Sequence, residues 1–206
     1  MRIRALFFLL LIILIPATSH PETDGDGKGK TGTSSDPKPA PKSVFSILIM
    51  DQGQKPIPRL ISFMQHHNKT LESSYLTRLL TTYISECKLE GINYDVAVCQ
   101  MCLETGFLRF NGSVSRFQNN FCGLGAINAS AAGDWFGSME EGIRAHIQHL
   151  KAYASTEPLS TVQVDKRFHH VRRGTVFTVY DLTGHWATDP KYGEKLDYLL
   201  RKLYSD

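Results

Sequence analysis

The sequence predicts an α+β domain that is predominantly α-helical. One stretch, residues 71–89, carries apolar side chains that recur every four residues, as on the buried stripe of a helix. Several other stretches begin and end at residues that typically cap helices. Between them, the irregular and glycine-punctuated residues 107–125 predict a small irregular β-lobe or hairpin.

Five helices are expected in chain order. They cover Pro58–His67, Leu71–Leu89, a segment capped by Asn93, a segment from Ser138 to about Ala154, and Lys191–Tyr204. Ser138 and Glu141 have the spacing of a capping box. The short apolar runs 45–50 and 175–179 are candidate strands, although the first could instead be a segment packed on the domain.

The helix that begins after Asn93 carries the most informative side chain. Asn93 is a suitable N-cap, Asp95 falls in the first turn, and Gly106 follows the last turn. Helical spacing places four residues on one face: Ala97, Gln100, Met101 and Glu104. A carboxylate at the C-terminal end of a largely buried helix is disfavoured by desolvation and by the helix dipole. We therefore expect Glu104 to hold a proton near neutral pH and to be able to act as a general acid.

The segment after this helix is rich in aromatic and amide side chains. No Asp or Glu occurs between Glu104 and Asp134. Amides and aromatic rings without carboxylates suit a neutral, polar ligand, which points to a sugar.

Three sequence blocks resemble a known family. They are Gln100-x-x-Leu-Glu-Thr-Gly106, Asn119-Asn-Phe-x-Gly123 and Trp186-Ala-Thr-Asp-Pro-x-Tyr192-Gly. In order and spacing they resemble the glucosaminidase domain of bacterial autolysins, the lysozyme-like glycoside hydrolase family 73. The resemblance covers about residues 44–206.

The resemblance implies a function and a set of site residues. Glu104 matches the catalytic acid, and Tyr192 matches an active-site tyrosine. The implied substrate is the glycan strand of peptidoglycan, cut at the β-1,4 bond between N-acetylglucosamine and N-acetylmuramic acid. The candidate substrate-binding residues are Gln100, Gln118, Asn119, Asn120 and Phe121. Of these, Asn120 is interpreted as structural and Phe121 as packing beneath the helix, and Trp186 is interpreted as a core aromatic rather than a sugar platform.

The acid-free segment complicates the chemistry, because glycosidases normally use two carboxylates. Asp134, Glu140 or Asp189 could fold back as the second. Alternatively, the acetamido group of the substrate could act as the nucleophile, or Glu104 could work alone, as in lytic transglycosylases. A non-catalytic glycan-binding module that kept the fold is the rival interpretation.

Other classes are less well supported. The nearby histidines, His146 and His149, lack a metal-ligand motif, so neither a metal nor another cofactor is expected. Four cysteines, expected as free thiols with one bond through Cys122 as the alternative, lack the setting of a nucleophile. They are Cys87, Cys99, Cys102 and Cys122. The net charge of +3 becomes +1 without Arg2 and Arg4, which is too little to indicate nucleic acid binding.

The N-terminal residues predict export. Residues 1–19 have the basic start, apolar run and small-residue cleavage site of a signal peptide, and the run is too short for a stable membrane span. Residues 20–43 have the composition of a disordered linker, and residues 44–206 form the expected catalytic domain. We expect a monomer in the periplasm or cell envelope, or secreted.

Overall fold

Helices make up nearly all the regular structure in the part of the chain that the computed structural model describes, residues 45–126 and 133–205. The five α-helices are α1 (Ile57–His67), α2 (Ser73–Glu90), α3 (Tyr94–Thr105), α4 (Met139–Ala154) and α5 (Tyr192–Tyr204). Short 3₁₀ turns occur at Arg116–Gln118 and Phe168–His170. The prediction of a predominantly helical domain is therefore confirmed, with helix ends close to those expected.

The small β-lobe is not confirmed. Within the described ranges, β-structure is limited to isolated bridges, which pair Leu48 with Thr178, Met50 with Ile92 and Thr183 with Ala187. The apolar run 45–50 divides its backbone bonds between two neighbours, because Ile49 donates to Phe177 and accepts from Asn93, each at 2.9 Å. The run forms isolated bridges and no strand, so it packs on the domain as the second interpretation proposed.

Helix α3 is the buried centre of the fold. It packs against α2 and α5, and α2 also contacts α1 and α4. Every residue from Val96 to Cys102 is buried, so the helix is enclosed on all sides rather than amphipathic. Glu104, in its last turn, is exposed. All four cysteines are buried as free thiols.

A buried ion pair ties the segment that follows α4 to the end of α2. The Glu90 carboxylate accepts from Lys151 Nζ at 2.8 Å and from the backbone of Ser160 and Thr161 at 3.0 and 2.9 Å. Burial by itself would raise the pKa of Glu90, but these hydrogen bonds outweigh it and lower the pKa. The carboxylate is therefore charged and fully engaged.

Nothing in the described ranges is a helix long and apolar enough to cross a membrane. The predicted signal peptide, the whole of the predicted linker and the predicted domain boundary at residue 44 lie outside the described residues.

Candidate active site

The C-terminal end of α3 is shaped by its caps. Asn93 Oδ1 accepts from the Asp95 backbone at 3.0 Å, as predicted for the N-cap. Gly106 ends the helix in the left-handed conformation with φ 58°, and Phe107 and Leu108 continue with φ 57° and 61°. The chain turns sharply there, which leaves Glu104 at an open helix end.

The two oxygens of the Glu104 carboxyl have different surroundings. Oε1 accepts from the indole Nε1 of Trp186 at 3.0 Å and from the hydroxyl of Tyr192. Oε2 accepts no hydrogen bond from the described residues and lies 3.8 Å from where a Cβ on Gly123 would stand. Because both donors meet at Oε1, Oε2 is the oxygen that can carry a proton to a ligand.

The surroundings of this carboxyl raise its pKa. Glu104 is exposed as a residue, yet enough protein surrounds the carboxyl for desolvation to raise its pKa to about 7. The hydrogen bonds from Tyr192 and Trp186 lower it and offset part of that effect. The group therefore titrates close to neutral pH, where both of its protonation states are accessible.

Both donors come from the segment around residues 186–192. Tyr192 is the first residue of α5 and is buried, with 4% of its surface exposed. Trp186 is half-buried and packs its ring against His146, His149 and Tyr153. Its interpretation as a core aromatic is incomplete, because its N–H reaches Glu104.

A chain of buried polar groups continues behind Tyr192. Gln100 Nε2 donates to the Tyr192 hydroxyl at 2.9 Å, and Gln100 Oε1 lies 2.9 Å from His146 Nε2. His146 Nδ1 lies 3.0 Å from the Tyr83 hydroxyl. Burial, together with the nearby His149, lowers the pKa of His146 to about 3, so its ring is neutral.

Comparison with known proteins shows the family of the chain. A family model described as mannosyl-glycoprotein endo-beta-N-acetylglucosaminidase matches residues 80–205. The chain belongs to this glucosaminidase family. It is also 44% identical over 162 residues to an "uncharacterized protein" of Borreliella burgdorferi, covering 79% of each chain. No solved structure matches. The matched region contains Glu104, Trp186 and Tyr192, so this is a glycosidase-family domain with its polar cluster inside the family region.

The other candidate binding residues of this glucosaminidase-family protein shape the loop after α3. Gln118 is buried, and its Oε1 accepts from the Ser115 backbone at 2.6 Å. Asn120 bonds both backbone groups of Leu124, at 2.8 and 3.0 Å, as expected for a structural residue. Asn119 takes φ 51° and donates to the Phe136 carbonyl at 3.0 Å.

Phe121 is buried and turns its ring toward Tyr83 and Phe110. Direct contact of these loop residues with a sugar stays a prediction. Their described contacts hold the loop and Gly123 in place beside Glu104, and Asn119 is the one of the four that is partly exposed.

Two of the three acids considered as a second carboxylate form ion pairs with other residues. Asp134 pairs with Arg167 at 3.2 Å, and Asp189 pairs with Lys195 at 2.6 Å. Glu140 is exposed in the first turn of α4. Among the described contacts, none joins these acids to the carboxyl at the end of α3.

The two helical histidines are both engaged in hydrogen bonds. His146 bonds within the chain described above, and His149 Nδ1 lies 2.8 Å from Asp165 Oδ2. In the part of the chain that the structure covers, no group of three or more His, Cys, Asp or Glu side chains could hold a metal ion. The His149–Asp165 pair instead supports the ring of Trp186.

A glycine in α4 allows the site loop to approach the helix. A Cβ added to Gly142 would stand 1.7 Å from the carbonyl oxygen of Asn119. We expect Gly142→Ala to displace this loop and to destabilise the fold by about 1–3 kcal/mol, as overpacking does. The melting temperature and the rate of glycan cleavage should both fall.

Gly112→Ala provides a matched control, because a Cβ at Gly112 would meet nothing within 4 Å. A Gly142→Ala variant with the melting temperature and activity of the wild type would show that the close contact between Gly142 and Asn119 does not position the loop.

Proposed function

We propose that the protein is an exported peptidoglycan hydrolase that cleaves the β-1,4 bond between N-acetylglucosamine and N-acetylmuramic acid, with Glu104 as general acid. The observation that carries the proposal is the asymmetry of one carboxyl group. Two donors meet at Oε1 of Glu104, and Oε2, beside Gly123, accepts no hydrogen bond from the described residues. Family membership supports glycosidase chemistry, and the predicted signal peptide supports export.

The first step of the reaction is proton transfer from Oε2 to the glycosidic oxygen. The bond from that oxygen to the anomeric carbon breaks as the proton arrives, and positive charge develops on the sugar. Glu104 becomes a carboxylate, which Trp186 and Tyr192 stabilise through their bonds to Oε1. A pKa of about 7 suits a group that must give up and regain a proton in one cycle.

The second step uses the substrate itself. The described contacts give Glu104 no carboxylate partner, and the nearest acid in the following chain, Asp134, is paired with Arg167. The acetamido oxygen of the cleaved N-acetylglucosamine therefore attacks its own anomeric carbon and forms a cyclic intermediate. The Glu104 carboxylate then takes a proton from water as the water oxygen attacks the anomeric carbon. The bond between that carbon and the acetamido oxygen breaks, which restores the acetamido group and leaves a reducing end.

The same observation favours one alternative. A carboxylate acting alone can instead take a proton from a hydroxyl of the substrate, which then closes onto the anomeric carbon. That is the lytic transglycosylase outcome, and it releases an anhydro sugar without consuming water.

Digestion of purified sacculi, followed by mass spectrometry of the released fragments, tests the proposal. We expect fragments with a reducing N-acetylglucosamine end. Because Glu104 must be protonated to act and its pKa is about 7, kcat/KM should fall as the pH rises above about 7.

Each other product contradicts a defined part of the proposal. An anhydro end would establish transglycosylation, and a reducing muramic acid end would mean that the other bond is cut. Sacculi that are bound but not cut at any pH would identify a non-catalytic glycan-binding module.

A further inference from the structure

The polar chain behind Tyr192 crosses the core between three helices. Its members are Tyr83 of α2, His146 of α4 and Gln100 of α3, each with 0% of its surface exposed. We propose that these three residues position the Tyr192 hydroxyl so that it donates only to Oε1 of Glu104, which places the transferable proton on Oε2. The reaction that uses this proton is the one proposed above, whereas the positioning can be tested without it.

The direction of the chain follows from counting its donors. Gln100 donates through Nε2 to the Tyr192 hydroxyl, so its Oε1 faces His146 Nε2 and must accept. A neutral histidine that donates through Nε2 accepts at Nδ1, and Tyr83 supplies that proton. The Tyr192 hydroxyl has one proton, and since it already accepts from Gln100, it gives that proton to Glu104.

Reversing the chain would require several buried groups to change together. The Gln100 amide would have to turn over, and His146 would have to move its proton to the other ring nitrogen. A partial reversal would set two donors or two acceptors against each other in the core, which costs the desolvation free energy of an unpaired polar group. The chain therefore keeps one direction in both protonation states of Glu104.

No charged group competes with this arrangement among the described neighbours. Glu104 is faced by Tyr192, by Trp186 and, from the loop, by the Cys122 thiol, whose pKa is raised by burial and then by Glu104. His146 is faced by Tyr83 of α2, by the Trp186 ring and by His149 on its own helix. The Tyr192 hydroxyl also remains protonated, because burial and the nearby Glu104 raise its pKa.

The test measures the pKa of the Glu104 carboxyl by ¹³C NMR titration. Tyr192→Phe removes a hydrogen bond that favours the carboxylate, so the pKa should rise by about one unit or more. Gln100→Met leaves Tyr192 free to turn away and should raise the pKa in the same direction by less. Tyr83→Phe removes only the far hydroxyl and should give the smallest rise.

The decisive comparison is a double-mutant cycle. If Gln100 acts through Tyr192, Gln100→Met should cause no further shift in a Tyr192→Phe background. In the active enzyme, the basic limb of the pH profile should move upward with the NMR value, and kcat should fall more than KM changes.

Tyr204→Phe is the matched control. It removes a hydroxyl that donates to Asp95 at 2.5 Å, at the opposite end of α3, and should leave the Glu104 titration unchanged. Additive shifts in the cycle, or an unmoved titration in both Gln100→Met and Tyr83→Phe, would overturn the proposal. If Gln100→Met does not fold, the pKa of Glu104 in the Tyr83→Phe variant tests the proposal by itself. Because the titration needs no substrate, a protein that cuts no glycan still gives an answer.

Discussion

Replacing Glu104 with glutamine is expected to lower glycan cleavage by about 10²–10⁴-fold, the usual contribution of a general acid. The glutamine side chain has nearly the same shape, and its oxygen can still accept from Trp186 and Tyr192. What it lacks is a proton acidic enough to pass to the glycosidic oxygen. Release of soluble fragments from sacculi over time measures the effect.

The fold should be unaffected by this change. Above pH 7, the melting temperature of Glu104→Gln should equal or exceed that of the wild type, because the wild-type carboxylate must ionise in a site that disfavours its charge. Glu157→Gln, at an exposed position, is the control for loss of a surface acid. A Glu104→Gln variant that digests sacculi at the wild-type rate would show that Glu104 is not the general acid.

The helices were predictable from the sequence because their ends are set by local interactions. The side chains of Asn93 and Ser138 each accept a hydrogen bond from a backbone N–H in the first turn of the helix that follows, and Gly106 ends its helix. All these interactions lie within four residues, so the spacing of residue types is enough to place the helix ends. The side-chain half of the Ser138 capping box differs in detail, because the Glu141 carboxylate accepts from the Gly137 backbone.

The parts that could not be predicted depend on contacts between distant residues. Trp186 and Glu104 are 82 positions apart, and neither sequence block reveals that an indole N–H reaches the carboxyl. Gln100 and Glu104 share a helical face, which indicated that the amide belonged near the site. The sequence alone could not show that this amide is used by Tyr192 and His146 inside the core.

The predicted β-lobe is not confirmed, for a related reason. Composition marked the segment after α3 as irregular, but strand pairing requires a partner of matching length and register. In the described part of that segment, the turns are held by side chains such as Gln118 and Asn120 instead of by a ladder.

The second large effect is expected for Lys151→Met, which should destabilise the fold by about 3–5 kcal/mol. Lys151 and Glu90 have 3% and 2% of their surfaces exposed, so methionine would leave a buried carboxylate without its counter-charge. Chemical denaturation at neutral pH measures the loss.

The pH dependence of this loss has a defined sign. The folded wild type holds the pKa of Glu90 below its ordinary value, so the ion pair contributes stability above the unfolded pKa of about 4.5 that is lost as the pH falls. The difference between Lys151→Met and wild type should therefore be largest at neutral pH and shrink under acid. Adding Glu90→Gln to the variant should recover part of the stability by removing the unpaired charge.

The consequences of this ion pair extend to the site. Glu90 also holds the backbone of Ser160 and Thr161, and that segment leads to Asp165, which bonds the His149 that packs on Trp186. Lys151→Met should therefore lower cleavage even at temperatures where the protein remains folded. Lys88 is an exposed lysine in the last turn of α2, the helix that contains Glu90. Lys88→Met should change neither the stability of the fold nor the rate of cleavage. Equal stability of the two lysine variants would mean that Glu90 is satisfied by its backbone donors alone.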